Sequence, residues 1–204
     1  MTTPLEHLSN LIKAYPVLVP VREQILDAYT ILHYSLAHHG KVYLCGNGGS
    51  AADCDHWAAE MLKSFAIKRK THLGDAVLEQ ALPFIPLTGF NAFHTAWAND
   101  CDPRTNFAQL VCTLCNEGDV LIAITTSGNS DNILLAVQAA KQHSVKVIGL
   151  TGRDGGKLAL FDSCQPDCII IAPAMETYKI QELHLPIYHC LSMMLEVAFF
   201  GGYE

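Results

Sequence analysis

Two pairs of polar residues in the sequence have the types and the spacing that proton transfer requires. His56 and Glu60 are four residues apart, so on a helix they project from the same face, one turn apart. Near the end of the chain, Glu182 and His189 are seven residues apart and also share a helix face. A carboxylate and an imidazole can serve a substrate as general base and general acid. A solvated surface pair is the alternative interpretation of His56 and Glu60.

The C-terminal pair lies in an overwhelmingly apolar helical segment, KIQELHLPIYHCLSMMLEVAFF. Four polar side chains interrupt its first half: Gln181, Glu182, His184 and His189. Gln181 lies about 80° round the helix from His189, within the same broad face. Polar groups on a buried helix need hydrogen-bond partners, so these four are either satisfied core groups or parts of a functional site.

Two strand-to-helix junctions are rich in glycine and hydroxyl residues, CGNGGS at 45–50 and TTSGNS at 125–130. Glycines let the backbone approach a ligand closely, and hydroxyls and free amides at a helix start can hold a phosphate. The alternative is that Ser50 and Ser130 are only N-caps. Neither loop has a Walker lysine or the G-x-G-x-x-G spacing, so we expect a phosphomonoester such as a phosphosugar and no nucleotide cofactor.

Alternating strands and helices must position these residues. Short, nearly continuous apolar runs predict strands at 42–45, 84–87, 119–125, 145–151 and 167–173. Helical patterns occur at 17–38, 50–65, 91–98, 104–116, 130–143 and 176–199. Gly40 is predicted to end the first helix, and Pro86 predicts an edge strand. The alternation predicts an α/β fold with a doubly wound, about five-stranded parallel sheet, whose ligands lie at the carboxyl ends of the strands.

Composition limits the function classes. The chain has 204 residues, half of them apolar, and a net charge of -7. This predicts a single domain over 1–204, with a helical segment at about 1–40 and an α/β core at about 41–204. The negative charge argues against nucleic acid as the main ligand. Because no charged leader is seen and the apolar runs are short for a bilayer, we expect a cytoplasmic protein without a membrane partner.

The eight cysteines are expected to be reduced core thiols in a chain of this kind. Cys112 and Cys115 form a CxxC motif, and Cys164 and Cys168 form a CxxxC motif, so a structural zinc site is the alternative. Against that alternative, Cys168 opens an apolar strand-like run and Cys112 lies in an apolar helical segment.

Four motifs carry a family resemblance: CGNGGSAAD, AITTSGNS, VIGLTGRDGGKL and IQELHLPIYH. Together they resemble a sugar isomerase (SIS) domain, and specifically the phosphoheptose isomerase family, from about residue 17 to the C-terminus. The resemblance implies the SIS fold and a homotetramer with active sites where subunits meet. It also implies that loop residues hold the phosphate and the sugar: Asn47, Gly48, Gly49, Ser50, Thr125, Thr126, Ser127 and Ser130.

The same resemblance implies an activity, the isomerisation of sedoheptulose 7-phosphate to D-glycero-D-manno-heptose 7-phosphate. Glu60 would be the base that forms the cis-enediol, and His189 would transfer a proton at the sugar oxygen. Gln181 with His56, Glu60 and His189 would bind a divalent metal, with zinc suiting these ligands. Glu176 and Thr177 would bind sugar hydroxyls, although Glu176 could equally be an acidic first-turn residue.

One position departs from the family pattern, since Phe90, beside Asn91, stands where an aspartate usually follows the second strand. This keeps another ketose phosphate open as substrate, with His94 as a partial replacement. A non-catalytic sugar-phosphate regulator, or a protein that associates with a replication initiator, is the alternative function. Relatives of the latter kind typically lack both the glutamate and the final histidine. Because Glu60 and His189 are present, an enzyme is favoured.

Overall fold

The computed structural model describes residues 2–160 and 165–201. The strands of this part are β1 (Val42–Gly46), β2 (Lys70–Leu73), β3 (Ala76–Glu79), β4 (Phe84–Pro86), β5 (Val120–Ile124), β6 (Lys146–Gly152) and β7 (Cys168–Ala172). The helices are α1 (Pro4–Ala14), α2 (Arg22–Ala37), α3 (Gly49–Leu62), α4 (Asn91–Asp100), α5 (Asn106–Leu114), α6 (Asp131–Gln142), α7 (Gly156–Leu160) and α8 (Thr177–Phe200). Short 3-10 turns lie at Pro16–Val21, Leu87–Gly89 and Pro103–Thr105.

Five parallel strands form the central sheet in the order β4-β1-β5-β6-β7, which confirms the predicted doubly wound fold. Every residue of β1 and β5 is buried, because helices cover both faces of the sheet. α1, α2, α3 and α8 pack on one face and α5 and α6 on the other, each with its own hydrophobic cluster. β4 is an edge strand, as Pro86 predicts.

The N-terminal part differs from the single predicted helix over 17–38. A 3-10 turn precedes α2, and the predicted apolar stripe is buried. The end of α2 also differs from the prediction. A glycine that ends a helix usually adopts the left-handed conformation, but here His39 adopts it, with a φ of 66°. Gly40 N–H donates to the Ser35 carbonyl, and a Cβ at Gly40 would lie 2.4 Å from the Gly118 carbonyl oxygen. Gly40 is therefore required because the chain after α2 passes close to the backbone at Gly118.

A β-hairpin that the sequence analysis did not predict follows α3. β2 and β3 pair antiparallel, with Leu73 opposite Ala76 across a two-residue turn. Gly74 in that turn has a φ of 58°, a conformation that glycine adopts without strain. The helix before the hairpin ends at Leu62 and not at residue 65 as expected, because the chain then turns toward α8.

The expectation that every apolar segment is too short for a bilayer is wrong for α8. This helix has 24 residues and a mean hydropathy of 1.3 over its most apolar window, 56% of which is buried inside the protein. Its buried residues, such as Ile187 and Leu191, belong to the same hydrophobic cluster as the sheet. α8 packs as a core helix against the other elements described.

The cysteine prediction is only partly correct. Among the described cysteines, all of which are free, five are buried and Cys101 and Cys112 are exposed. Cys112 is therefore not a core thiol, because its side of α5 faces away from the sheet. Cys164 of the CxxxC motif lies outside the described residues. In the described part of the chain, the histidine, cysteine and acidic side chains that cluster closely enough for a metal do not include a cysteine.

Candidate active site

Two loops meet at the carboxyl edge of the sheet. β1 and β5 are neighbouring parallel strands with Gly46 opposite Ile124, so the loops that follow them lie side by side. They enclose a cavity of about 100 Å³. Five of the predicted substrate-binding residues line it, namely Asn47, Ser50, Thr125, Thr126 and Ser130.

The hydroxyls of this cavity do not cap the helices that follow. Gly48 is the N-cap of α3, so Ser50 lies inside the first turn, and Ser130 makes no side-chain capping bond to α6. Thr125 Oγ1 lies 3.3 Å from Ser130 Oγ, and both Ser50 and Thr125 are buried. The starts of α3 and α6 and these hydroxyls together make a site suited to a small anion.

Two predicted loop residues form hydrogen bonds with other residues of the chain. Ser127 does not line the cavity, and its Oγ accepts a hydrogen bond of 3.2 Å from the backbone N–H of Asn129. The side chain of Asn47 exchanges two hydrogen bonds of 2.9 Å with Asn132. This pair ties the two loops together, and sequence reasoning missed Asn132 because the contact joins distant segments.

The two predicted glycines have different structural roles. Gly48 has a φ of 55° and open space around it, so backbone conformation explains this glycine. A Cβ at Gly49 would instead lie 2.3 Å from Gln181 Nε2, so close packing explains the second. The Gln181 amide is therefore placed at the start of α3, about 10 Å along the helix from His56.

His56, Glu60 and His189 form a compact cluster between α3 and α8. One potential ligand atom from each lies within 4.8 Å of the others. His56 Nε2 lies 3.0 Å from Glu60 Oε1, and the rings of His56 and His189 pack edge to face at 5.3 Å. Burial and the neighbouring His56 lower the pKa of His189, and the Glu60 carboxylate partly opposes this effect. The predicted acid–base residues are thus neighbours.

The cluster fits a divalent metal ion by its donor chemistry. Two imidazoles and a carboxylate are ligands that zinc prefers. His189 Nε2 is buried and has no hydrogen-bond partner among the described residues, as expected for a nitrogen that serves as a ligand. Gln181 is not part of the cluster, because its amide packs against Gly49.

Sequence reasoning missed Tyr188, which contacts His56, and Asp53, which contacts Tyr188. The Tyr188 hydroxyl lies 2.9 Å from His56 Nδ1 and 3.3 Å from Asp53 Oδ1. The ring of Tyr188 stacks on Trp57, with centroids 5.4 Å apart. The available signals were the spacing of three residues between Asp53 and His56 on α3, and a tyrosine directly before His189.

The remaining residues of the predicted site on α8 lie apart from the cluster. Glu176 and Thr177 are at the exposed start of α8, where the Glu176 carboxylate accepts a hydrogen bond from Lys179. Glu182 is exposed. His184 is a buried core residue whose Nε2 hydrogen-bonds the Thr151 carbonyl at 3.1 Å, while its Nδ1 has no partner among the described residues.

Phe90 leaves the position of the usual aspartate without a carboxylate. It precedes α4 and is partly exposed, and Asn91 beside it is exposed as well. Both ring nitrogens of His94 are engaged, with the Leu87 carbonyl at 2.8 Å and the Asn106 amide at 3.1 Å. His94 is thus a structural link and not a replacement for the aspartate.

Known proteins resemble this chain in sequence and in fold. The family described as "SIS domain" matches residues 17–152. The phosphoheptose isomerase of Thiobacillus denitrificans is 44% identical over 174 residues, which cover 85% of this chain and 83% of the relative. That of Aromatoleum aromaticum is 41% identical over 178 residues, covering 87% and 84% of the two chains.

A solved structure gives the same result. Phosphoheptose isomerase GmhA from Neisseria gonorrhoeae superposes with a TM-score of 0.76 at 35% identity, covering 93% of this chain and 95% of that one. Sequence and fold agree over nearly the whole length of both proteins. The chain therefore belongs to the SIS domain family and, within it, to the phosphoheptose isomerase family.

Proposed function

We propose that this protein isomerises sedoheptulose 7-phosphate to D-glycero-D-manno-heptose 7-phosphate. The observation that carries the proposal is the close grouping of Glu60 and His189 in a chain of this family. A surface pair without function would not bring a second histidine, from a distant part of the chain, to the same point.

Glu60 is proposed to be the base. Its carboxylate takes a proton from C1 of the open-chain ketose, which gives a cis-enediol, and returns a proton to C2. His189 moves the hydroxyl proton between the two oxygens, so that the C2 carbonyl becomes a hydroxyl and the C1 hydroxyl becomes a carbonyl. The lowered pKa of His189 supports this role, since a neutral imidazole can both accept and donate a proton.

The loops are proposed to hold the phosphate, through Ser50, Thr125, Ser127 and Ser130, with Asn47 and Thr126 near the sugar. The loop glycines Gly48 and Gly49, together with Gln181, Glu176 and Thr177, complete the proposed substrate site. Hydroxyls without a capping role at two helix starts support the phosphate assignment.

Zinc is proposed as the metal, held by His56, Glu60 and His189, with Gln181 as the fourth ligand. When bound, it would either act as a Lewis acid near the sugar carbonyl or hold the site together. The two roles of Glu60 compete, because a carboxylate bound to zinc is a poorer base. The orphaned His189 Nε2 supports the site. For Gln181 to join, its amide must turn away from Gly49.

The active site is proposed to lie between subunits of a homotetramer. Ser50 and Glu60 lie on α3 and are separated by about 15 Å along the helix axis. An extended seven-carbon chain spans only about 10 Å from C1 to the phosphorus atom. One substrate molecule would therefore take its phosphate site from one subunit and its base from another.

We further propose a single domain over residues 1–204, in the cytoplasm, without nucleic-acid or membrane partners. Leu8 and Leu11 of α1 belong to the same hydrophobic cluster as the sheet, which supports one folding unit. The described cysteines are free thiols, as is usual in a reducing compartment.

A second candidate is the same reaction on another ketose phosphate, which the phenylalanine at position 90 favours. A sugar-phosphate regulator or a partner of a replication initiator would need neither Glu60 nor His189. Phe90 thus bears on the sugar and not on the reaction type.

The test is turnover in deuterated water with sedoheptulose 7-phosphate. We expect an aldose product with deuterium at C2, and no turnover by Glu60→Gln although that variant still binds the substrate. Glu182→Gln is the matched control, because it makes the same chemical change at an exposed position and should keep the parent rate. Binding without turnover by the parent would favour the regulator, and turnover of only a different ketose phosphate would favour the second candidate.

A further inference from the structure

A chain of hydrogen-bonding groups runs from the half-buried Asp53 to the cluster of His56, Glu60 and His189. It begins at Asp53, continues through the Tyr188 hydroxyl to His56 Nδ1, and leaves His56 Nε2 facing Glu60 Oε1 at 3.0 Å. Asp53 lies one turn before His56 on α3, whereas Tyr188 reaches across from α8. The proton positions along this chain determine what His56 can bind.

The Tyr188 hydroxyl has one proton and two acceptors within reach. Asp53 Oδ2 is buried and has no hydrogen-bond partner among the described residues, so the tyrosine is the donor available to this carboxylate. An ionised carboxylate can only accept, and a buried one without a donor is costly. His56 Nδ1 has an alternative, because an imidazole can carry its proton on either nitrogen. The Tyr188 hydroxyl therefore donates its proton in a hydrogen bond to the Asp53 carboxylate.

The tautomer of His56 follows from this assignment. With its proton directed at Asp53, the Tyr188 oxygen can only accept from His56, so Nδ1 carries the imidazole proton. Nε2 then presents a lone pair to the Glu60 carboxylate and to His189. In this tautomer two acceptors, His56 Nε2 and Glu60 Oε1, face each other at 3.0 Å and repel each other unless a cation binds to both.

We propose that Asp53 and Tyr188 are positioning residues that hold His56 as the Nδ1–H tautomer, with Nε2 ready to bind a metal ion. The inference rests on the metal site of the proposed function. The tyrosine is suited to this task because its ring is fully buried and stacked on Trp57, so the hydroxyl has a fixed position. Such partners of a ligand histidine orient the ring and fix its tautomer.

The test compares Tyr188→Phe with Tyr43→Phe. Each change removes one hydroxyl from a buried tyrosine, but the Tyr43 hydroxyl donates to the Leu114 carbonyl, away from the cluster. In metal-free parent enzyme at pH 8, 15N spectra of labelled histidine should report Nδ1–H for His56, assigned through His56→Asn. We expect Tyr188→Phe to convert the ring to the Nε2–H tautomer, which can donate to Glu60, and Tyr43→Phe to leave it unchanged.

Zinc affinity, measured by competition with a coloured chelator, is the second readout. Tyr188→Phe should weaken zinc binding by about 10-fold to 100-fold relative to Tyr43→Phe. Circular dichroism and thermal unfolding of both variants show whether each is folded. The inference is overturned by an Nε2–H tautomer of His56 in the parent, or by the same His56 tautomer in both variants. Where the parent binds zinc, equal zinc affinity of the two variants overturns it as well.

The readouts separate this inference from the proposed function. If the parent binds no zinc but Tyr188→Phe still converts the tautomer, the positioning role stands and the zinc site fails. If zinc binding and the tautomer behave as expected but no ketose phosphate is turned over, only the proposed reaction fails.

Discussion

Arg69 and Glu196 form a wholly buried ion pair between the segment after α3 and the helix α8. Arg69 Nε lies 3.3 Å from Glu196 Oε1, and neither side chain is exposed to solvent. The carboxylate also accepts three backbone hydrogen bonds, from Phe65, Ala66 and Ile67. The guanidinium donates to three carbonyls at the end of α3, those of Glu60, Met61 and Lys63. The pair thus anchors the helix end that carries Glu60.

Glu196→Gln should destabilise the protein strongly. The change leaves the Arg69 charge buried without its partner, and breaking such a pair costs about 3–5 kcal/mol. Urea unfolding followed by circular dichroism measures the difference. Glu23→Gln is the control, because its ion pair with Arg22 is on the surface and is worth at most about 1 kcal/mol. Similar losses of unfolding free energy in the two variants would show that the buried pair stabilises the protein no more than the surface pair does.

The strand positions were predictable because burial on both faces requires continuous apolar runs. The runs at 119–125 and 145–151 become β5 and β6, which differ from them by one or two residues. β2 and β3 have mixed sequences, and their residues are mostly exposed, so no run marks them. The hairpin is instead defined by the turn at Gly74 and by hydrogen bonds between its two strands.

Spacing along one helix was enough to pair His56 with Glu60, since both lie on α3. The position of His189 beside them depends on how α3 and α8 pack, which only the family resemblance indicated. Periodicity likewise could not find the contact of Tyr188 with Asp53, because it joins two helices through one hydroxyl. Local patterns identify a shared face, and packing determines which faces meet.

His184 should make stability depend on pH. Burial lowers its pKa to about 4, an effect that the hydrogen bond to the Thr151 carbonyl partly opposes. Since the unfolded chain binds this proton near pH 6.5, the contribution is fully present above that pH and is lost as the pH falls toward 4. Between pH 7 and pH 5 the loss is about 2 kcal/mol.

Urea unfolding of His184→Gln at both pH values tests this expectation. The variant should lose less stability than the parent on acidification, because glutamine does not titrate. His143→Gln, which changes an exposed histidine, should follow the parent. An equally steep loss in His184→Gln would assign the acid sensitivity to other groups.

Gly49→Ala should disturb Gln181 and leave the backbone intact. Its Cβ would lie 2.3 Å from Gln181 Nε2, and a flexible amide can move away at little cost in stability. We expect turnover to fall roughly 10-fold to 100-fold, because both residues belong to the proposed substrate site and misplacing a positioning group by about 1 Å can cost about 100-fold.

Gly48→Ala changes the neighbouring loop glycine without displacing Gln181. It meets no atom within 4 Å but forces an alanine to a φ of 55°. It should therefore lower stability by about 1–3 kcal/mol, because φ 55° with ψ -120° is a conformation that almost only glycine adopts. Gln181 should stay in place. Steady-state kinetics and thermal unfolding of both variants separate the two effects, and a normal rate for Gly49→Ala would show that the position of Gln181 is unimportant.

Ser130→Ala should weaken the binding of the phosphorylated sugar. The Ser130 hydroxyl lines the cavity between the two loops and does not cap α6. Because Ser130 Oγ can accept from Thr125 Oγ1 at 3.3 Å, its own proton can be donated to a phosphate oxygen. A hydrogen bond to a charged group is worth about 1.5–3 kcal/mol, which corresponds to a roughly 10-fold to 150-fold weaker Kd. Titration calorimetry in the Glu60→Gln background measures binding without turnover. Ser9→Ala, at an exposed serine of α1, is the control and should bind like its parent. If Ser130→Ala binds as tightly as that control, the phosphate lies elsewhere and the two loops have another role.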